Sequence, residues 1–102
     1  MPKSVYAIKI LWRAAKDLDD ICVYYAGTNK IKKLLDSLDN ILTNIAQTPY
    51  MYPEHNKQYR KITVEDYLVF YKVFSAAKTI RIYRILHAKR DNSLYLQIPS
   101  NN

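Results

Sequence analysis

The sequence predicts an α+β domain of order β-α-α-β-β-β, a helical hairpin packed on one face of a mainly antiparallel sheet. Three observations carry this prediction. Apolar residues alternate over the first ten positions, recur at helical spacing from residue 11 to 45, and alternate again from 59 to 87. Pro49 and Pro53 sit where the helical period stops, and neither can continue a helix. A chain of 102 residues provides one two-layer core, so residues 1–102 form one domain.

The elements follow in order. Ser4–Ile10 reads as a strand, with Tyr6, Ile8 and Ile10 on one face and Val5, Ala7 and Lys9 on the other. Leu11, Ala14, Ala15, Leu18, Ile21, Cys22 and Tyr25 then form a helical stripe, with Asp17, Asp19 and Asp20 turned away from it. Gly27 is the only glycine, and it follows where a left-handed residue closes a helix. Thr28 or Asn29 caps a second helix with the broad stripe Ile31, Leu34, Leu35, Leu38, Ile41, Leu42 and Ile45. Tyr59–Val64 is a strand, and Glu65-Asp66 a short polar turn without the preferred glycine. Tyr67–Val73 is nearly all apolar or aromatic, as a central strand should be. Ser75–Lys78 turns the chain into Thr79–His87. There strict alternation places Ile80, Ile82, Arg84 and Leu86 on one face and Arg81, Tyr83, Ile85 and His87 on the other. Leu94–Ile98 reads as a last short strand or a clasp. The stripe of the second helix should cover one sheet face. The other, bearing some of Lys61, Lys72, Arg81 and the tyrosines, is left to solvent or a partner.

The formal charge of +7 is unevenly placed. Residues 1–56 carry a net +1 and residues 57–102 a net +6, so the charge that meets a partner belongs to the second half. This favours nucleic acid or an acidic protein over a neutral small molecule. Cys22 is the only cysteine; it lies on an apolar stripe and reads as core, and a reducing cytoplasm fits. No apolar run approaches the roughly 20 residues of a spanning helix, and no signal-peptide pattern opens the chain, so no membrane partner is expected. There is no Gly-rich phosphate loop. His55 and His87 have no spacing that makes a metal pair, so neither metal nor cofactor is expected.

The residues left for chemistry are His87, Lys89, Arg90, Asp91 and Tyr95, joined by Arg60, Lys61 and Arg84. Metal-free RNA cleavage needs a base for the 2′-OH, an acid for the leaving oxygen and cations for the crowded phosphate. His87 fits base or acid, Arg90 fits the charge, and Tyr95 fits a proton donor or a stacking ring. Arg60, Lys61, Arg81, Lys89 and Arg90 are the candidates for contact with a target or a nucleic acid. The plainer alternative is a histidine that ends a strand and a solvated Lys-Arg-Asp turn. Arg84 shares its predicted face with apolar residues. It therefore needs the sheet margin or a carboxylate, with Asp91 or Asp66 as candidates, and its role reads as structural.

Several blocks resemble the RelE/ParE superfamily of bacterial toxins, the toxic halves of type II toxin–antitoxin pairs. AAKDLDDICVYYA at Ala14–Ala26 is similar to its A-x-x-D-L-x-x-I-x-x-Y opening. ILTNIAQTPYMYP at Ile41–Pro53 resembles its L-x-x-x-P-x-x-x-P passage. YRK at Tyr59–Lys61, DYLVFYKV at Asp66–Val73 and RILHAKRD at Arg84–Asp91 follow in the family's order. The resemblance implies the RelE/ParE toxin fold, growth arrest in the cytoplasm of a bacterium, and neutralisation by a cognate acidic antitoxin. It leaves two mechanisms open. ParE-type toxins inhibit DNA gyrase and hydrolyse nothing; RelE-type toxins are endoribonucleases that cut mRNA on the ribosome. The RelE type commonly places an arginine in the third strand, where this chain has Leu68, and the LVFYKV and RILH blocks look more like the ParE type. The resemblance therefore implies gyrase as the favoured target. The alternative is ribosome-dependent cleavage through His87, Arg90 and Tyr95, and a further alternative is an inactive member or one that only binds a partner.

Overall fold

The computed structural model describes residues 5–54 and 59–89. His55, Arg90, Asp91, Tyr95 and the predicted strand or clasp at Leu94–Ile98 lie outside the described residues. The elements are β1 (Ala7–Ile10), α1 (Trp12–Tyr24), α2 (Asn29–Gln47), β2 (Arg60–Val64), β3 (Tyr67–Phe74) and β4 (Thr79–His87). The strands form one sheet in the order β1-β4-β3-β2. The β2–β3 and β3–β4 pairs are antiparallel and β1–β4 is parallel. This is the α+β architecture, β-α-α-β-β-β, that the sequence predicts. The helical hairpin is what carries the chain from β1 at one edge to β2 at the other. Strand β1 is shorter than the predicted Ser4–Ile10. Its ladder with β4 begins only where Ala7 meets Thr79, and the Tyr6 N–H instead donates to the Ala46 carbonyl at the end of α2 (2.8 Å).

The main core lies between the helices and one sheet face. Ala14 and Ile21 of α1, with Leu34, Leu38 and Ile45 of α2, pack on Ile62, Val64, Val69, Tyr71, Ile80, Ile82 and Ile85. Ile45, Val69, Tyr71 and Ile80 are fully buried; truncating an isoleucine there to alanine removes about 2–5 kcal/mol. Leu35, placed on the stripe by spacing, is largely exposed, as are Trp12, Val23 and Tyr24 of α1. Between the helices, Gly27 takes φ +80° in a turn closed by the Thr28 N–H donating to the Tyr25 carbonyl (3.0 Å). A positive φ at the third turn position is a glycine conformation. Thr28 occupies the N-cap position of α2, but its hydroxyl donates back to the Tyr25 carbonyl (2.7 Å) rather than capping. The β2–β3 turn holds Glu65 at φ +54° without a glycine.

One irregularity resets the sheet. Phe70 pairs with Arg84 and Tyr71 with Ile82, so Tyr83 is an extra residue in β4. A bulge of this kind shifts the alternation by one residue and moves every later side chain to the other face. The strict alternation expected for Thr79–His87 therefore fails beyond Ile82. Ile85 joins Ile80 and Ile82 in the helix-side core, while Leu86 joins Tyr83 on the opposite face. That opposite face is not simply left open either. Tyr59, Phe70, Tyr83 and Leu86 form a second buried cluster there, with Leu11 and Leu68 against it.

Arg84 sits at the bulge, and among the described residues the carboxylate that holds it is Asp17, not the Asp66 candidate, while Asp91 lies outside the described residues. Its Nε donates to Asp17 Oδ2 (2.7 Å) and its Nη2 to Asp17 Oδ1 (2.8 Å), a bidentate pair across the α1–β4 contact. The Ile85 N–H donates to the same Asp17 Oδ2 (3.0 Å). Both charged side chains are largely buried, at 13% and 14% exposure. Strand β1 covers the outer edge of β4 only as far as Ile82, and Asp17 then takes over the next edge amide. Asp66 is occupied elsewhere, 3.3 Å from Lys30 Nζ on α2.

Candidate target-binding face

Paired strand residues share a face, so the registers place the cations of the strands. On the face away from the helices, Lys9 of β1 pairs with Arg81 of β4, and Arg81 pairs with Lys72 of β3. Three cations thus form a row across three adjacent strands, about 4.8 Å apart at the backbone. Lys61 of β2 lies on the same face, opposite Phe70. Like charges directly opposite on a sheet repel. Aromatic rings offset this: Arg81 lies 4.4 Å from the centroid of Phe74, and Lys72 lies 5.8 Å from Phe74 and 6.0 Å from Tyr59. Each such contact contributes about 0.5–1 kcal/mol when partly exposed.

Carboxylates have gone to other cations. Lys16 pairs with Asp20, Lys30 with Asp66, Lys33 with Glu65, Arg60 with Glu54 and Arg84 with Asp17. Among the described residues, Lys9, Lys61, Lys72 and Arg81 have no ion pair, and all four share this one sheet face. The face also contains Tyr83, whose hydroxyl is buried with no hydrogen-bond partner among the described residues. Its ring meets that of Tyr59 edge-on at 5.5 Å. Burial, together with the neighbouring Tyr83, raises the Tyr59 pKa above the ordinary tyrosine value. The arrangement is a cationic, aromatic surface suited to holding anionic groups. Leu68, half-buried against the second cluster, gives the end of the face nearest Leu86 an apolar character.

The candidate residues from the sequence divide between two places. Lys61 and Arg81 lie on the cationic face. Arg60 points the other way, toward the loop before β2: its Nη1 donates to the Tyr52 carbonyl (2.7 Å), its Nη2 lies 3.5 Å from Glu54, and it stacks 4.9 Å from the Tyr50 ring. His87 and Lys89 lie at the end of β4 on the helix side. There His87 packs edge-on against Tyr67 at 5.2 Å, and its Nδ1 accepts from the Lys89 N–H (3.2 Å). His87 and the pair Lys61 and Arg81 are therefore on opposite faces of the sheet. Arg90 and Tyr95 lie outside the described residues. Lys9 was absent from the sequence candidates, because its place beside Arg81 depends on the β1–β4 pairing; the only local signal was its position off the apolar face of β1. Among the described residues, no three His, Cys, Asp or Glu side chains cluster to hold a metal, and no helix is long and apolar enough to cross a membrane.

The sequence profile of the ParE toxin of the type II toxin–antitoxin system parDE matches residues 8–92. The chain belongs to this family of type II toxins, within the RelE/ParE superfamily. Solved structures share its fold. The chromosomal ParDE system of P. aeruginosa matches with a TM-score of 0.65 at 23% identity, over 85% of this chain and 100% of that one. The RelBE2 toxin–antitoxin complex of Mycobacterium tuberculosis matches at 0.63 and 15%, over 86% and 98%. The isolated RelE toxin of E. coli matches at 0.62 and 17%, over 88% and 90%. No curated protein sequence matches the chain. Two blocks that carried the resemblance meet physically in this fold: AAKDL supplies Asp17, RILH supplies Arg84, and the ion pair between them fastens α1 to β4.

Proposed function

We infer that this toxin arrests growth by binding DNA gyrase, and that a cognate acidic antitoxin neutralises it in the cytoplasm. The observation that carries this reading is the row Lys9, Arg81 and Lys72, with Lys61 beside it, on a face where Leu68 stands in place of a phosphate-holding arginine. Four cations without an ion pair among the described residues, two of them (Lys72 and Arg81) over aromatic rings, suit an acidic protein surface. A candidate proton-transfer group, His87, is turned to the other side of the sheet. In this reading the face acts by docking and breaks no bond. Purified toxin should inhibit supercoiling by gyrase and accumulate broken DNA in the same reaction. Supercoiling that continues unchanged at excess toxin sinks the proposal.

A second reading has its own support. A row of cations spaced like strands also fits a phosphate backbone, whose affinity rests on such contacts, and Arg90 and Tyr95 supply further groups for RelE-type cleavage of mRNA on the ribosome. It requires toxin-dependent cuts in mRNA in a translating extract. Their absence, with intact inhibition of gyrase, eliminates it. If inducing the chain without its antitoxin leaves growth unimpaired, both mechanisms fail and a purely partner-binding role stands.

A further inference from the structure

The outer surface of α1 carries a seam that the core and the cationic face leave unused. A helix turns about 100° per residue, so Trp12, Lys16, Asp19 and Val23 fall within about 60° of one another. Ala14 and Ile21, which pack on the sheet, lie on the opposite side of the helix. All four seam residues are exposed. Trp12 is 70% and Val23 71% exposed among the described residues. They stand roughly 16 Å apart along the helix, and a tryptophan and a valine this exposed on one face mark a contact surface. We propose that two copies of the chain pair along this seam, α1 against α1 in antiparallel, as a two-fold dimer.

The spacing selects a second copy as the occupant. The four positions are separated by 4, 3 and 4 residues, the intervals of a helix–helix seam. That pattern reads the same in both directions, so an antiparallel copy meets it position for position. With the two-fold axis between Asp17 and Leu18, Trp12 meets the partner's Val23 and Lys16 meets the partner's Asp19. Symmetry makes each contact twice. A parallel copy would set Lys16 against Lys16 and Asp19 against Asp19, which like charges oppose.

Charge favours the same surface. A chain of formal charge +7 resists meeting itself over most of its area. On α1 the balance differs: Asp17 is held by Arg84, and Arg13 and Lys16 are matched by Asp19 and Asp20. Lys16 reaches Asp20 at 3.4 Å with both side chains 66% exposed, so a second carboxylate beside it extends a pair that water already screens. The row Lys9, Arg81 and Lys72 lies on the far face of the sheet. Pairing through α1 therefore keeps the two cationic faces apart and leaves both open. One helix pair is a small interface, so the dimer is weak and depends on concentration.

Sedimentation equilibrium of the full chain from about 5 to about 500 µM spans the affinities of a small interface. Wild type should move from 12.0 kDa toward twice that mass. Trp12→Ala should raise the dissociation constant at least tenfold. Lys16→Glu and Asp19→Lys each set like charges opposite one another at two symmetric points, and each should do the same. Mixed in equal amounts, these two variants should pair with an affinity within threefold of wild type, because each introduced charge then meets its opposite on the other chain. Each substitution moves the formal +7 by two units, so both variants stay basic and bulk attraction does not explain their pairing. A mixture that associates no more tightly than either variant alone overturns the proposal. Should a single variant not fold, the double variant Lys16→Glu/Asp19→Lys decides: it must dimerise within threefold of wild type, and a monomer overturns the pairing. A wild type that stays monomeric at the highest concentration also overturns it; if Trp12→Ala then weakens binding to the acidic antitoxin, that protein covers the seam instead.

Discussion

Removing Asp17 should loosen the whole molecule, because one carboxylate holds three donors across the α1–β4 contact. In Asp17→Ala the Arg84 guanidinium, 13% exposed, loses its bidentate partner, and the Ile85 N–H loses its acceptor. Breaking a buried ion pair by deleting one member costs about 3–5 kcal/mol. The partial exposure of both side chains places this pair near the lower end, and the orphaned amide adds about 1 kcal/mol. The expected loss is about 3–4 kcal/mol, a fall in Tm of roughly 15–25 °C for a domain of this size. Arg84→Met should lose about 2–3 kcal/mol, since Asp17 then stays buried with only the Ile85 amide. The double variant buries no lone charge, so it should lose much less than the sum, with a coupling of at least 2 kcal/mol. Urea unfolding followed by far-ultraviolet circular dichroism measures all four proteins, and equal m-values establish a common reference. If the two losses add to within about 0.5 kcal/mol, the pair is not the bracket described here.

Three further outcomes follow from the geometry. Burial, opposed by the nearby Arg60 charge, pushes the Tyr71 pKa up to about 12, and burial with a Tyr25 hydrogen bond raises that of Tyr67 further. Unfolded tyrosines ionise near pH 10, so the folded state binds more protons between about pH 10 and 12 and stability falls through that window as pH rises; absorbance at 295 nm should show buried tyrosines ionising only with unfolding, and independent early titration of every tyrosine contradicts this. Lys78 takes φ +49° in an exposed turn, so Lys78→Gly should stabilise by about 1 kcal/mol, whereas Gly27→Ala, at φ +80° with open space around the new Cβ, should cost about 1–2 kcal/mol from the backbone alone; a Lys78→Gly that melts lower than wild type, or a Gly27→Ala that melts no lower, would refute the conformational argument. Replacing Lys72 and Arg81 together by Gln should weaken target binding at least tenfold and flatten its salt dependence, while Lys78→Gln changes neither; pull-down of gyrase across a salt series measures both.

The order and type of the elements were legible in the sequence because periodicity is local. A stripe such as Ile31 to Ile45 reports its own helix, and Gly27, Pro49 and Pro53 mark their own boundaries. Charge asymmetry likewise pointed to the second half before any contact was known. What stayed hidden depended on partners distant in the chain. The bulge at Tyr83 exists only where β3 and β4 meet, and it exchanged the faces of Ile85, Leu86 and His87. The carboxylate that holds Arg84 lies 67 residues away, on a helix whose acidic residues read from spacing only as turned off the apolar stripe. Lys9 joined the cationic row only through its parallel pairing with β4. The sequence by itself determined a basic toxin domain with a helical hairpin and a sheet. The tertiary structure decided which cations share a face and which are already paired, because register and ion pairing are set by contacts between strands and helices and leave no mark on local spacing.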